Sequence, residues 1–132
     1  MADVVIVGAG QAAASLVARL RSRGFEGSIT LVGEEPVPPY QRPPLSKAYL
    51  LGEMELSRIF LRPENFYVEN DVALKLGKPV TAIDRASRTV RVSDEDVPYG
   101  DLVLCTGSAP RRLPASIGGG LEGVHVVRTL AD

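Results

Sequence analysis

Near the N-terminus, an apolar strand pattern runs directly into a glycine-rich turn, and this junction constrains the fold most. Val4–Val7 form a continuous β-branched run, which is typical of a strand covered on both faces of a parallel sheet. Gly8 closes the run, helical spacing begins at Gln11, and Gly24 is placed to end the helix. A second buried strand is predicted at Ile29–Val32. Strand, helix and strand within about thirty residues predict a βαβ unit in an α/β fold.

The turn itself reads G-A-G-Q-A-A over residues 8–13 and matches the dinucleotide pattern G-x-G-x-x-G/A. Gly8 permits a tight turn, Gly10 lets a pyrophosphate approach the backbone, and the small Ala13 allows close packing of helix on strand. The helix that begins near Gln11 offers unpaired N–H groups and a partial positive charge to phosphates. A dinucleotide site is therefore predicted, and a βαβ unit without a ligand is the alternative.

An acidic residue ends the second strand. The carboxylate of Glu34 can accept hydrogen bonds from both ribose hydroxyls of an adenosine, and it would repel a 2′-phosphate, which disfavours NADP at this site. Glu35 is the next residue and is the alternative ribose ligand. A solvated Glu34 without a ligand is the third interpretation.

Composition excludes several other classes of protein. The 132 residues suffice for one domain with a hydrophobic core, and a net charge of -1 gives no general attraction to nucleic acid or anionic lipid. Cys105, the only cysteine, excludes an intrachain disulfide, a CxxC redox pair and a cysteine-rich metal site, and inert packing is its favoured role. Neither a signal peptide nor a membrane-spanning run is present, so a cytoplasmic protein without metal or membrane contacts is expected.

The middle of the chain is less regular. Residues 35–44 contain five prolines, which argue against helix or strand there. A short helix is predicted from Ser46 to Leu51, and Pro63 is predicted to open another through Glu69. Further strands are predicted at Val80–Ile83 and Thr89–Val92, joined as a hairpin, and at Leu102–Cys105 and Val124–Val127.

The segment 38–47, P-P-Y-Q-R-P-P-L-S-K, closely resembles a loop of the ferredoxin-reductase-like flavoproteins. This group of the pyridine nucleotide-disulfide oxidoreductase superfamily includes FAD-dependent ferredoxin, rubredoxin and putidaredoxin reductases and the apoptosis-inducing factors. The resemblance extends over the glycine turn and over residues 31–34, 99–107 and 127–130. It implies a Rossmann-like FAD/NAD(P)-binding fold, with a parallel sheet and an inserted antiparallel hairpin or meander, incomplete in this chain.

The resemblance also implies FAD-binding roles for particular residues. Ala12 falls where the phosphate-binding turn of the family contacts FAD, and Glu34 falls where an acidic residue holds the ribose. Arg42 and Lys47 fall in the loop that passes the pyrophosphate and the isoalloxazine ring. Lys47 is the candidate catalytic residue, because a cation near flavin N5 stabilises the electron-rich reduced ring. The alternatives are that Arg42 is a surface cation stiffened by Pro43 and that Lys47 is a solvated helix residue.

Four further positions match the family pattern. Val80 corresponds to a residue whose backbone meets the adenine, and Arg128 corresponds to an arginine that contacts FAD. Thr106 and Gly107 end the strand that crosses close to the cofactor. One departure is a hairpin turn that reads D-E-D at residues 94–96 where the family often has Asp-Gly, so a looser turn is expected.

Related disulfide reductases carry a cysteine pair just ahead of a Pro-Ser-Lys, whereas residues 42–47 contain no cysteine. Direct electron transfer from the flavin to a one-electron acceptor is therefore expected. The resemblance implies an FAD-dependent NADH:ferredoxin oxidoreductase with a ferredoxin-type iron–sulfur protein as its partner.

Family members continue into a second GxGxxG domain for NADH and a C-terminal domain, and the glycines at 118–120 follow no strand that would make them a substitute. Residues 1–132 are therefore expected to be the N-terminal segment of the FAD-binding domain and inactive alone. The alternatives are a truncated ADP- or FAD-binding module without turnover, and the N-terminal half of an NADH oxidase or nitrite-reductase-type flavoprotein.

Overall fold

The computed structural model describes residues 3–132, which divide into two units. The first unit comprises Met1–Gln41 and Phe60–Gly107, and the second comprises Arg42–Ile59 and Ser108–Asp132. The regular elements of the first unit are, in chain order, β1 (Val4–Val7), α1 (Gln11–Ser22), β2 (Ile29–Val32), α2 (Glu64–Glu69), β3 (Val72–Lys75), β4 (Val80–Asp84), β5 (Thr89–Val92), β6 (Glu95–Pro98) and β7 (Asp101–Leu104). The second unit contains 3₁₀ helices at Pro43–Ser46, Leu56–Arg58 and Ala115–Ile117.

Four strands of the first unit form a parallel sheet in the order β3-β2-β1-β7. Val4 of β1 lies opposite Ile29 of β2 on one side and Asp101 of β7 on the other. The strands β4, β5 and β6 form an antiparallel sheet that is inserted in the chain between β3 and β7. The predicted α/β architecture, with a parallel sheet and an inserted meander, is confirmed.

The central strand β1 is covered on both faces, because its side chains alternate between two apolar clusters. Val4 and Ile6 pack with the buried faces of α1 and α2, whereas Val5 packs with Val90 and Val92 of β5. Within the first unit, the parallel sheet is therefore a middle layer between the helices and the antiparallel sheet. Since successive strand residues point to opposite faces, this covering explains why residues 4–7 include no polar side chain.

The strand β3 was not predicted. It lies at the edge of the parallel sheet, and of its four residues only Val72 is fully buried. An edge strand needs no continuous apolar run, so the sequence V-A-L-K gave no buried-strand signal.

The helix predicted from Ser46 to Leu51 is wrong. The structure has a 3₁₀ helix at Pro43–Ser46, which ends where the predicted helix was to begin. Prolines suit the first positions of a helical turn because they have no N–H to leave unpaired, and here they begin it. Lys47 then takes a non-helical backbone conformation, with φ -136° and ψ -120°, and stops it. The helix predicted from Pro63 is confirmed, with Pro63 as the N-cap of α2.

Two strand predictions in the C-terminal half also need correction. Val124–Val127 is irregular, and the described residues 108–132 hold no strand with which it pairs. The turn expected at residues 94–96 lies at residues 93–94, where Ser93 has φ +52°, and β6 begins at Glu95. Asp96 is a strand residue whose carboxylate pairs with Arg91 of β5, with 2.5 Å between Nε and Oδ1. A cross-strand ion pair explains why an acidic residue is tolerated there.

Tyr67 of α2 packs in the core next to Phe66, and its hydroxyl meets no hydrogen-bond partner among residues 3–132. Burial raises the pKa of Tyr67 from 10.0 to about 12. Tyr67→Phe is expected to increase the free energy of unfolding by about 1 kcal/mol, since an unsatisfied buried hydroxyl is costly. A raised folded-state pKa means that stability present below pH 10 is lost as the pH rises towards 12. Urea unfolding at pH 8 and pH 11 should show a smaller alkaline loss in the variant, and an equal loss would contradict this assignment.

Candidate functional site

The first glycine of the turn is fixed by a contact with β7. Gly8 has φ +104°, and a Cβ added to it would lie 2.1 Å from the carbonyl oxygen of Cys105. Its N–H donates to the carbonyl of Val32 at 2.8 Å, and the N–H of Cys105 donates to Val7 at 2.7 Å. The turn therefore lies where the carboxyl ends of β1, β2 and β7 meet, and only glycine has both the required conformation and the required size.

The second glycine faces open space. Gly10 is the N-cap of α1, and a Cβ added to it would meet nothing within 4 Å. No side chain caps this helix end, and its first turn carries no acidic residue. Gln11 is exposed, whereas Ala13 is fully buried against the sheet. The N-terminal N–H groups of α1 are thus open to an anion, while a small residue keeps the helix close to the strands.

A third glycine, Gly33, brings the end of β2 against this turn. A Cβ added to Gly33 would lie 2.6 Å from the Cβ of Ala9 and 3.2 Å from Cδ2 of Leu76. Glu34 follows directly and is exposed. Sequence reasoning gave Gly33 no role, although a glycine between a buried strand and an acidic residue was the available signal. The contact holds Glu34 beside the phosphate-binding turn, as a ribose ligand requires.

Glu35, the alternative ribose ligand, forms hydrogen bonds with other residues of the first unit. Its side chain is half-buried, and its carboxylate accepts a hydrogen bond from the hydroxyl of Tyr40. Its carbonyl accepts the N–H of Gly77 at 3.0 Å. Of the two successive carboxylates, Glu34 is the more accessible to a ligand.

The other candidate residues of the first unit lie around the same sheet. Thr106 and Gly107 come after Cys105, one residue beyond the end of β7, and are exposed. A Cβ added to Gly8 would lie 3.0 Å from the backbone nitrogen of Thr106, so Thr106 stands at the same sheet edge as Gly8. Val80 begins β4, is half-buried, and packs against the cluster that includes Val5. In the parallel sheet, β2 and β3 lie on one side of β1, and β7 lies on the other side. Ligands of open α/β sheets bind outside the carboxyl ends of the strands at such a change in direction.

Cys105 follows β7 instead of lying within it. Its side chain is half-buried against the core, and burial raises the pKa of its thiol. A raised pKa keeps the thiol protonated near neutral pH, and a protonated thiol is a poor nucleophile and a poor metal ligand. Its carbonyl, which approaches Gly8, is the part of this residue that shapes the site.

The second unit contains the three basic candidates. Arg42 donates from Nη1 to the carbonyl oxygen of Arg128 at 2.5 Å, so the structure brings these two residues together. The carboxylate of Asp132 accepts the N–H groups of Arg128 and Thr129 at 2.8 and 2.7 Å, and these bonds lower the pKa of Asp132. Lys47 is exposed, and its Nζ lies 3.4 Å from the carbonyl oxygen of Pro43.

Residues 3–132 include no helix that is both long enough and apolar enough to cross a membrane. Over the same residues, no group of three or more histidine, cysteine or acidic side chains is arranged to hold a metal ion.

Comparison with known proteins places this architecture among reductases. The chain is 47% identical over 131 residues to a ferredoxin–NAD(P)(+) reductase of Sphingomonas sp, and the alignment covers 98% of this chain and 31% of that protein. It is 45% identical over 131 residues to rhodocoxin reductase of Rhodococcus erythropolis, covering 98% and 30% of the two chains. Putidaredoxin reductase of Pseudomonas putida is 42% identical over 133 residues, covering 98% and 32%. The chain therefore spans about a third of the length of these relatives.

Solved structures agree. The covalent putidaredoxin reductase–putidaredoxin complex matches with a TM-score of 0.83 and 43% identity, over 89% of this chain and 28% of that chain. The ferredoxin reductase for the CYP199A2 system from Rhodopseudomonas palustris matches with a TM-score of 0.88 and 36% identity, over 99% and 32%. The family model described as pyridine nucleotide-disulphide oxidoreductase matches residues 2–132. The resemblance seen in the proline-rich loop is confirmed, and the chain belongs to the pyridine nucleotide-disulphide oxidoreductase family.

Proposed function

We propose that this chain is the FAD-binding part of a ferredoxin reductase, which passes electrons from NADH through FAD to a small iron–sulfur protein. The observation that carries the proposal is the open N-terminus of α1 at Gly10, flanked by the exposed Glu34 at the carboxyl edge of the parallel sheet. This arrangement fits an adenosine diphosphate group, because it combines N–H donors for the phosphates with an acceptor for the ribose. Relatives named for ferredoxin, rhodocoxin and putidaredoxin support the class of acceptor.

In this proposal the first unit binds the ADP half of the cofactor. The N–H groups of Gln11 and Ala12 stabilise the pyrophosphate, and the absence of a side chain at Gly10 lets it approach the backbone. Glu34 accepts the ribose hydroxyls and repels a 2′-phosphate. The backbone of Val80 meets the adenine, and Thr106 with Gly107 bounds the site at the end of β7.

Three basic residues are assigned to the cofactor from the family resemblance. When bound, FAD supplies the ring that receives two electrons from NADH and releases them singly to the acceptor. We assign Lys47 to the negative charge that develops on that ring, and we assign Arg42 and Arg128 to the cofactor as well. Arg42 also holds the main chain at Arg128, so it positions the second arginine. Residues 42–47 contain no cysteine, so this loop offers no dithiol relay between flavin and acceptor.

The test is an FAD titration of the purified chain, followed by flavin fluorescence. Wild-type protein should bind FAD, and Glu34→Ala should weaken binding by about 1–3 kcal/mol, the scale of lost hydrogen bonds to a charged group. Glu26→Ala removes another exposed carboxylate, in the loop between α1 and β2, and should leave the affinity unchanged. A wild-type chain without affinity for FAD would refute the proposal. Normal affinity in Glu34→Ala would move the ribose-binding role to Glu35.

A further inference from the structure

The loop after β2 is fixed by the backbone on both sides of Glu34. The carbonyl of Gly33 accepts the N–H of Lys78 at 3.0 Å, and the carbonyl of Glu35 accepts the N–H of Gly77 at 3.0 Å. Gly33 also donates its N–H to Lys75 at 2.9 Å. The peptide between Gly33 and Glu34 and the peptide between Glu35 and Pro36 are therefore both held by the turn that follows β3, and β3 itself holds the peptide between Val32 and Gly33.

A side chain further along the chain restrains the same loop. Tyr40 is only 3% exposed, and its hydroxyl donates to the carboxylate of Glu35. This hydrogen bond closes residues 35–40 into a ring that contains Pro36, Pro38 and Pro39, whose backbones are already stiff.

Tyr40 is itself held in place. It forms an antiparallel bridge with Phe60, and the N–H of Leu61 donates to the carbonyl of Pro39 at 3.0 Å. The phenol is thus a buried donor in a fixed position, so it restrains the carboxylate that accepts its hydrogen bond. The restraint runs from residues 60–61 through Tyr40 to Glu35, which is the immediate neighbour of Glu34.

We infer that Tyr40 is a positioning residue for the adenosine ribose, an inference that rests on the proposed function. By binding the Glu35 carboxylate, Tyr40 restrains the residue that follows Glu34, so that the Glu34 carboxylate is presented to both ribose hydroxyls before the ligand arrives. Binding then costs less conformational entropy, because the acceptor is already ordered.

The variant Tyr40→Phe removes the hydroxyl and keeps the buried ring. ADP and 2′-deoxy-ADP are titrated into the chain and followed by NMR chemical shifts, so that weak binding is measurable. Wild-type protein should bind ADP about tenfold more tightly than 2′-deoxy-ADP, because one hydroxyl bound to a carboxylate is lost. In Tyr40→Phe this ratio should fall to about threefold or less. A general structural defect would weaken both nucleotides equally and leave the ratio unchanged.

A double-mutant cycle identifies the partner. Glu35→Ala should lower the ratio as Tyr40→Phe does, and adding Tyr40→Phe in that background should change it by less than about twofold, because the shared hydrogen bond is already gone. Tyr99→Phe removes another partly buried hydroxyl of the first unit and should keep the wild-type ratio. If Tyr40→Phe does not fold, Glu35→Ala decides the question together with Glu34→Ala, because loss of the ratio in Glu34→Ala identifies Glu34 as the ribose ligand and leaves Glu35 the positioning role.

The outcomes separate this inference from the function on which it rests. A wild-type ratio that survives both Tyr40→Phe and Glu35→Ala overturns the positioning role and leaves the FAD site standing. A wild-type chain that binds neither nucleotide overturns the proposed function, and the inference with it.

Discussion

Gly8→Ala is expected to lower the free energy of unfolding by about 3–5 kcal/mol, the sum of backbone strain and steric overlap. The strain arises because φ +104° lies outside the conformations that alanine readily adopts. The overlap arises because the new Cβ would lie 2.1 Å from the carbonyl oxygen of Cys105, a backbone atom that cannot rotate away. Urea unfolding followed by circular dichroism measures the loss.

Gly24 provides the matched control for this experiment. It also has a positive φ, of +77°, but a Cβ added there would meet nothing within 4 Å. Gly24→Ala should therefore cost only the backbone term, about 1–2 kcal/mol. If the two substitutions cost the same, the close approach of Cys105 to Gly8 would be disproved.

Gly10→Ala should have the opposite profile, with little effect on folding and a large effect on ligand binding. Gly10 has an ordinary φ of -104°, and open space surrounds the position of the added methyl, so the unfolding free energy should change by less than about 1 kcal/mol. FAD affinity should nevertheless fall at least about tenfold, because the methyl would occupy the space through which a pyrophosphate reaches the backbone. Calorimetric titration of FAD, together with a thermal unfolding curve, measures both quantities.

Gln11→Ala controls for disturbance of the helix end, because it shortens an exposed side chain and keeps the backbone N–H. Its FAD affinity should stay within about twofold of wild type, since only the N–H is assigned to the phosphates. Full FAD affinity in Gly10→Ala would place the pyrophosphate away from this turn.

The two interior strands of the parallel sheet were predictable from the sequence because their environment is uniform along their length. β1 and β2 lie in the interior of the parallel sheet, where both faces are covered, so seven of their eight residues are apolar. β3 was not predicted because a strand at the edge of a sheet needs fewer apolar side chains than an interior strand. The strand predicted at Val124–Val127 shows the converse, since β-branched residues form a strand only where a partner strand is available.

The features of the candidate site also differ in whether they could be predicted from the sequence. The glycine pattern and the acidic residue after β2 are local in sequence, and they identified the dinucleotide turn. The contacts of Gly33 with Ala9 and of Tyr40 with Glu35 depend on how the end of β2 packs, which no local pattern encodes. The approach of Cys105 to Gly8 depends on which strand becomes the second neighbour of β1, and that is decided by the sheet order.

This last contact has a consequence for how the phosphate-binding turn is made. The motif occupies six consecutive residues, yet its first glycine is seated only when the strand at Asp101–Leu104 has been added beside β1. The turn therefore cannot take its final shape before residues 101–105 have been synthesised, which follow the antiparallel sheet in the chain. A peptide limited to the first βαβ unit would carry the complete motif and still lack the wall that shapes it. The shape of the phosphate-binding turn thus depends on a strand that lies far along the chain from the motif itself.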